Sequence, residues 1–254
     1  MARLELRRVS RRFAGVEAVK NLEMAVEPGR VTGLIGPNGA GKTTVVNLIS
    51  GLLKLTSGRI QLDRHDIGEL QPHEVARLGI ARTFQNIRLL KEASVIDNIV
   101  VGFHRGDATS LPAQALGLPS VRRTRAALAQ RGHGLLSDFA MDEYAQCLAG
   151  ELSYGHQRRV EIMRALAADP QVLLLDEPAA GMNDVESAEL GAMFRRFAER
   201  GLAVLVIEHN MQLVMNLCDE LYVLESGELI ARGRPEQVRN DARVIEAYLG
   251  GELC

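Results

Sequence analysis

Between residues 36 and 43 the chain reads Gly36-Pro37-Asn38-Gly39-Ala40-Gly41-Lys42-Thr43, three glycines around a short stretch that closes on a lysine and a hydroxyl. Glycines let the backbone curl so that successive N–H groups point inward, and the helix-like run from Thr44 to Ser50 adds its positive end. The result is an anion cradle. A tight strand-to-helix turn needs only the glycines. A nucleoside triphosphate also needs Lys42 at its β- and γ-phosphates and the Thr43 hydroxyl on a magnesium ion. Thr44 completes the candidate nucleotide contacts.

Other reactive residues stand at the ends of apolar runs. Val172-Leu173-Leu174-Leu175 delivers two adjacent carboxylates, Asp176 and Glu177, and Ala203-Val204-Leu205-Val206-Ile207 ends in Glu208-His209. Open α/β sheets place their ligands at such C-terminal strand edges. Gly79 to Asn86 reads as a strand ending in Gln85. Phe13 sits in a connection, where an aromatic has no automatic core role, and it is a candidate to stack on an adenine ring. His65 and His73 have no partner at ligand spacing and read as surface histidines.

The elements that must position these groups follow from periodicity. Leu4 to Val9 and Val19 to Val26 alternate apolar and polar residues as half-exposed strands of an antiparallel layer. Val31-Thr32-Gly33-Leu34-Ile35 is a buried strand feeding the glycine-rich loop, and the helix after it is read as running through Leu53. Ser57 to Asp63 reads as turn and strand. From Asn86 to Gly150 the composition becomes helical, with pieces at Ser94 to Phe103 and Ser120 to Gln130, each opened by a serine able to cap it, around a Gly/Pro-punctuated loop at Leu111 to Pro119. Leu221 to Glu225 and Glu228 to Ala231 form a hairpin across Ser226-Gly227. Short helices at Pro235 to Arg239 and Arg243 to Leu249 follow.

Bulk properties set limits. With 254 residues and a formal net charge of -2, the chain has room for one large domain and lacks the basic excess of a general nucleic-acid binder. Arg122-Arg123 and Arg158-Arg159 read as solvated faces. Cys147, Cys218 and Cys254 include no CxxC pair, which indicates neither a disulfide framework nor a zinc site and fits a reducing cytoplasm. The opening Met1-Ala2-Arg3-Leu4-Glu5-Leu6 lacks the apolar core of an export signal. No apolar run approaches the roughly 20 residues of a membrane-spanning helix. Any membrane connection is expected to pass through a partner.

Leu152-Ser153-Tyr154-Gly155-His156-Gln157, read as preceding a helix from Arg158 to Ala167, resembles the signature motif of ATP-binding cassette (ABC) ATPases. With the glycine-rich loop, Gln85, Asp176-Glu177 and His209 it makes five elements in that family's order, covering essentially the whole chain. Ala81 to Leu89, Asp176 to Asn183, Ile207-Glu208-His209 and Val244 to Gly250 are similar, more narrowly, to the first of the two ATPase subunits of branched-chain amino acid importers. The resemblance implies an α/β fold: a P-loop NTPase core of ABC type with an antiparallel β subdomain and a helical subdomain, about residues 86–165, inserted in a single domain.

The resemblance also implies ATP and Mg2+ as ligands. Glu177 would be the general base, Lys42 would neutralise phosphate charge, and Thr43, Gln85 and Asp176 would hold the metal. His209 would contact the γ-phosphate and orient the water, and Gln85 would link the site to the helical insertion. Ser153 and Gly155, a hydroxyl and backbone N–H groups at a helix start, would form an anion site that closes on a partner's ATP. Asn183 would lie in a loop crossing the dimer interface. Partners would be a second ABC ATPase subunit, two permease subunits and a solute-binding protein, at the cytoplasmic membrane face, with no nucleic acid. Tyr154 and His156 depart from the common Leu-Ser-Gly-Gly-Gln pattern. Other readings are a soluble cassette acting on ribosomes or DNA, or the ATPase of another transport system, for urea and amides or for lipopolysaccharide.

Overall fold

The computed structural model describes residues 3–103 and 119–249. Residues up to Gln85 together with those from Gln171 onward form one compact unit, and Asn86–Pro170 form another.

Two sheets build the first unit. In one, β1 (Leu4–Phe13) pairs antiparallel with β2 (Val16–Val26) and with β4 (Ser57–Leu62), which pairs with β5 (His65–Asp66). β1 and β2 run longer than their alternating cores suggest, because Ala14 and Gly15, both at positive φ, suffice to turn the chain between them. The other sheet has the order β10-β9-β3-β8-β7-β6. Its strands β3 (Val31–Ile35), β6 (Ile80–Arg82), β7 (Val172–Asp176), β8 (Ala203–Ile207) and β9 (Glu220–Glu225) are parallel, and β10 (Glu228–Gly233) returns antiparallel. Every residue of β3, β7 and β8 is buried, which is why these three read as unbroken apolar runs. Asp176 is in register with Ile207, and Leu34 with Ile207, so the glycine-rich loop, the carboxylates and His209 leave the sheet at one edge.

Helix α1 (Lys42–Ile49) follows the loop and buries Val45, Val46, Leu48 and Ile49 in a cluster with Leu4 and Leu6 of one sheet and Leu34 and Leu174 of the other. Each such side chain contributes about 1.5–3 kcal/mol relative to exposure, so the core clamps the helix. It stops at Ile49 rather than Leu53, because Gly51 adopts φ 73° and the Leu53 N–H turns back to the Asn47 carbonyl. β6 likewise ends at Arg82, so Gln85 lies in the loop beyond it. Helices α2 (Pro72–Leu78), α6 (Asp184–Glu199) and α7 (Met211–Leu217) were not foreseen from the sequence. Asn183 caps α6 and Glu186 caps it reciprocally, a box visible in the sequence. Helices α8 (Pro235–Arg239) and α9 (Ala242–Leu249) close the unit.

The second unit holds α3 (Val95–Gly102), α4 (Pro119–Asp138) and α5 (Tyr154–Ala167). Ser94 caps α3, its Oγ accepting from the Asp97 N–H at 3.1 Å, whereas Ser120 lies inside α4 rather than at its cap. Apart from Pro119, the loop expected at Leu111 to Pro119 falls outside the described residues. α3 and α5 approach closely at Gly102, where a Cβ would lie 2.2 Å from the Arg164 carbonyl. Arg158 is fully buried rather than solvated. Its guanidinium meets Glu161 at 2.7 Å one helical turn on, so the charge is neutralised where water is excluded.

Candidate active site

The glycine-rich loop is shaped by its surroundings as much as by its own conformation. A Cβ at Gly36, where φ is 146°, would lie 2.0 Å from the Leu224 carbonyl, and one at Gly41, where φ is 101°, 2.4 Å from that of Ala18. No side chain fits at either place. Gly41 is also the N-cap of α1, with no side-chain cap and no acidic residue in the first turn, so the helix presents its backbone donors and positive end uncompensated. The Lys42 ammonium bonds the carbonyls of Gly36 at 2.7 Å and Pro37 at 2.9 Å. Burial lowers its pKa, and the carboxylates of Glu177 and Asp176 oppose that shift. Asn38 and Gly39 are exposed, Ala40 is buried, Thr43 is exposed and Thr44 half-buried. Phe13 ends β1 as a 39% exposed residue, with the Arg11 guanidinium 4.5 Å over its ring.

Asp176 is the last residue of β7 and only 6% exposed. Arg82, which the sequence reading passed over, meets it at 3.0 Å and also donates to Asn47 at 2.6 Å and Ser50 at 3.2 Å, tying β6, β7 and α1 together. A charge in a three-residue edge strand was its only signal.

Glu177 steps off the strand at φ 48°, its N–H held by the Ile207 carbonyl at 2.9 Å. Gln85 Nε2 donates to its Oε2 at 3.1 Å, and His209 Nδ1 lies 3.7 Å from its Oε1. Three sequence-predicted residues thus meet at one carboxylate.

Glu208 is a second residue the reading missed. Its buried carboxylate accepts from the Ala179 N–H at 2.9 Å, bracing the turn after Glu177, and burial raises its pKa against backbone hydrogen bonds that lower it.

Oxygen donors from Thr43, Asp176 and Gln85 suit magnesium. No group of three or more His, Cys, Asp or Glu gathers among the described residues, so a cation here would rely on one carboxylate, neutral oxygens and phosphate, a manner in which magnesium is commonly bound.

Ser153 and Gly155 belong to the Asn86–Pro170 unit. Ser153 is the N-cap of α5, which starts at Tyr154 rather than Arg158, and its Oγ accepts from the His156 N–H at 3.4 Å. The His156 ring packs on Tyr144 with centroids 4.6 Å apart.

A strand, a glycine-rich loop and a helix N-terminus, with carboxylates at the end of β7, separated from β3 by β8 in the same sheet, define a nucleoside-triphosphate-hydrolysing α/β protein. The family model described as ABC transporter matches residues 19–180, and one for the branched-chain amino acid ATP-binding cassette transporter matches 228–253. The chain belongs to the ABC transporter family as one of its ATP-binding cassettes, and by class it is an ATPase. It is 42% identical over 248 residues, 97% of each chain, to the high-affinity branched-chain amino acid transport ATP-binding protein BraF of Pseudomonas aeruginosa. It is also 42% identical over 240 residues, 94% of each, to the corresponding LivG of Escherichia coli. MJ1267, a solved ATP-binding cassette of an ABC transporter, superposes with a TM-score of 0.85 at 32% identity over 98% of this chain and 99% of that one. Among the described residues no helix is long and apolar enough to cross a membrane.

Proposed function

We propose that this chain is the ATP-hydrolysing subunit of an importer for branched-chain or related amino acids. The observation that carries the reading is the 42% identity to BraF along 97% of both chains. The cassette works at the cytoplasmic face of the membrane, paired with a second ATPase subunit and docked on two permease subunits that receive solute from a binding protein.

Within the site, Glu177 is the general base. Gln85 and His209 flank its carboxylate, which orients it toward an attacking water. Lys42 and the loop N–H groups balance the charge that develops on the transferred phosphoryl oxygens, and Thr44 and Phe13 contact the nucleotide. Thr43, Asp176 and Gln85 would hold magnesium, which supplies charge neutralisation at the phosphates. Ser153 and Gly155 offer a hydroxyl and helix-start N–H groups to the nucleotide of the partner subunit. Hydrolysis then separates the two cassettes, which turns phosphate chemistry into motion of the permeases.

Isolation of the tagged chain from membranes, with its bound subunits identified by mass spectrometry, tests the assignment. Recovery of two permeases and a second ATPase supports it. Recovery of ribosomal or DNA-bound proteins in their place overturns it.

A further inference from the structure

Glu208 is the single residue between the end of β8 and His209, and it is 1% exposed. Enclosing a carboxylate is costly unless donors meet its oxygens. Its Oε1 accepts from the Ala179 N–H at 2.9 Å and its Oε2 from the His209 N–H at 3.3 Å. One side chain thereby joins two stretches of backbone that are 29 residues apart in sequence.

Each stretch carries a residue of the site. Ala179 lies two positions beyond Glu177, whose φ of 48° persists only where the surroundings hold it. Two bonds fasten this turn to the end of β8: the Glu177 N–H to the Ile207 carbonyl at 2.9 Å, and the Ala179 N–H to Glu208. The His209 stretch is anchored independently, because Ile207 is buried in the sheet and Asn210 caps α7, its Oδ1 accepting from the Leu213 N–H at 3.1 Å. The side chains of His209 and Glu177 are 65% and 26% exposed and stand 3.7 Å apart, so their separation depends on where the backbone carries them more than on packing around them.

We propose that Glu208 is a positioning residue for hydrolysis: by tying the turn after Glu177 to the anchored stretch at His209, its carboxylate sets the distance between those two side chains. The proposal rests on the reading of Glu177 as general base and adds to it a residue that touches neither nucleotide nor water.

Glu208→Met matches the side chain in size and leaves the Ala179 N–H without an acceptor, whereas Glu208→Gln keeps an acceptor of the same reach. An unsatisfied buried donor corresponds to about a tenfold change, so Glu208→Met should lower kcat about tenfold while ATP affinity, measured by calorimetry, stays at the wild-type value. Glu208→Gln should restore most of the turnover. In a His209→Ala background the separation no longer matters, and Glu208→Met should lower kcat by less than about twofold further. If nucleotide-free melting shows that Glu208→Met does not fold, Glu208→Leu takes its place in the same series.

Wild-type turnover in the apolar variant overturns the proposal, as does a loss as large in Glu208→Gln as in Glu208→Met. A loss of ATP affinity matching the loss of kcat would show a site loosened as a whole and would also overturn it. So would a full tenfold loss repeated in the His209→Ala background. A wild type that hydrolyses no ATP removes the ATPase reading, and near-normal turnover in Glu177→Gln removes the base; either result is distinct from a failure of Glu208 alone.

Discussion

Replacing Arg82 with methionine removes one half of a pair whose side chains are 9% and 8% exposed and leaves the Asp176 carboxylate enclosed without its guanidinium. Breaking such a buried pair from one side costs about 3–5 kcal/mol. The lower end applies here, because the Lys42 ammonium also acts on Asp176 and takes up part of the field. Lost bonds to Asn47 and Ser50 push the other way. A loss of about 3 kcal/mol in a chain of this size lowers the melting temperature by about 6–12 °C. Differential scanning calorimetry on wild type, Arg82→Met, Asp176→Asn and the double variant gives the full cycle. If the two side chains act as a pair, the double variant is less destabilised than the sum of the singles, by about 2 kcal/mol. Additive losses, or an Arg82→Met protein that melts within about 2 °C of wild type, would show that Asp176 is held by its strand alone.

Glu177→Gln keeps the Gln85 contact geometry and discards the charge, so ATP binding should persist while turnover falls by about 10²–10⁴-fold in steady-state assays; near-normal turnover removes Glu177 as the base. Glu208 has a folded pKa raised above its ordinary 4.5, so its contribution to stability is complete below that value and is lost as pH rises through the folded pKa. Glu208→Gln keeps an acceptor for the Ala179 N–H, and the stability of wild type relative to this variant should decline from about pH 4.5 upward in denaturant titrations; a flat difference refutes the sign. The purified chain should bind no free leucine, isoleucine or valine in calorimetry, because solute recognition is assigned to the permeases and binding protein. Saturable binding without nucleotide would reveal a regulatory site.

The parallel core was legible because burial on both faces writes itself as uninterrupted Val, Leu and Ile, which placed β3 and β8 to the residue and β7 to within one. Amphipathic helices over the sheet were harder. α7 has seven residues, too few for a 3.6-residue period to repeat convincingly, and α2 buries only Val75. Arg158 misled for a related reason. A charged residue beside another charged residue looks solvated until Glu161, one turn away, is seen to share its side of the helix. Reactive side chains at strand ends were found from type and position, whereas Arg82 and Glu208 act through long-range contacts that spacing along the chain does not encode.

The backbone of Glu177 carries an implication for selection and engineering. At φ 48° a side-chain-bearing residue sits in the left-handed region, at a cost of roughly 1–2 kcal/mol, while glycine adopts it without steric penalty. The carboxylate therefore stands where the chain would rest more easily without it, and a glycine variant relieves the strain at the moment it removes the proposed base. Thermostability screens that do not score turnover will be drawn toward dead enzymes at this position, and heat resistance gained here is a warning rather than a success.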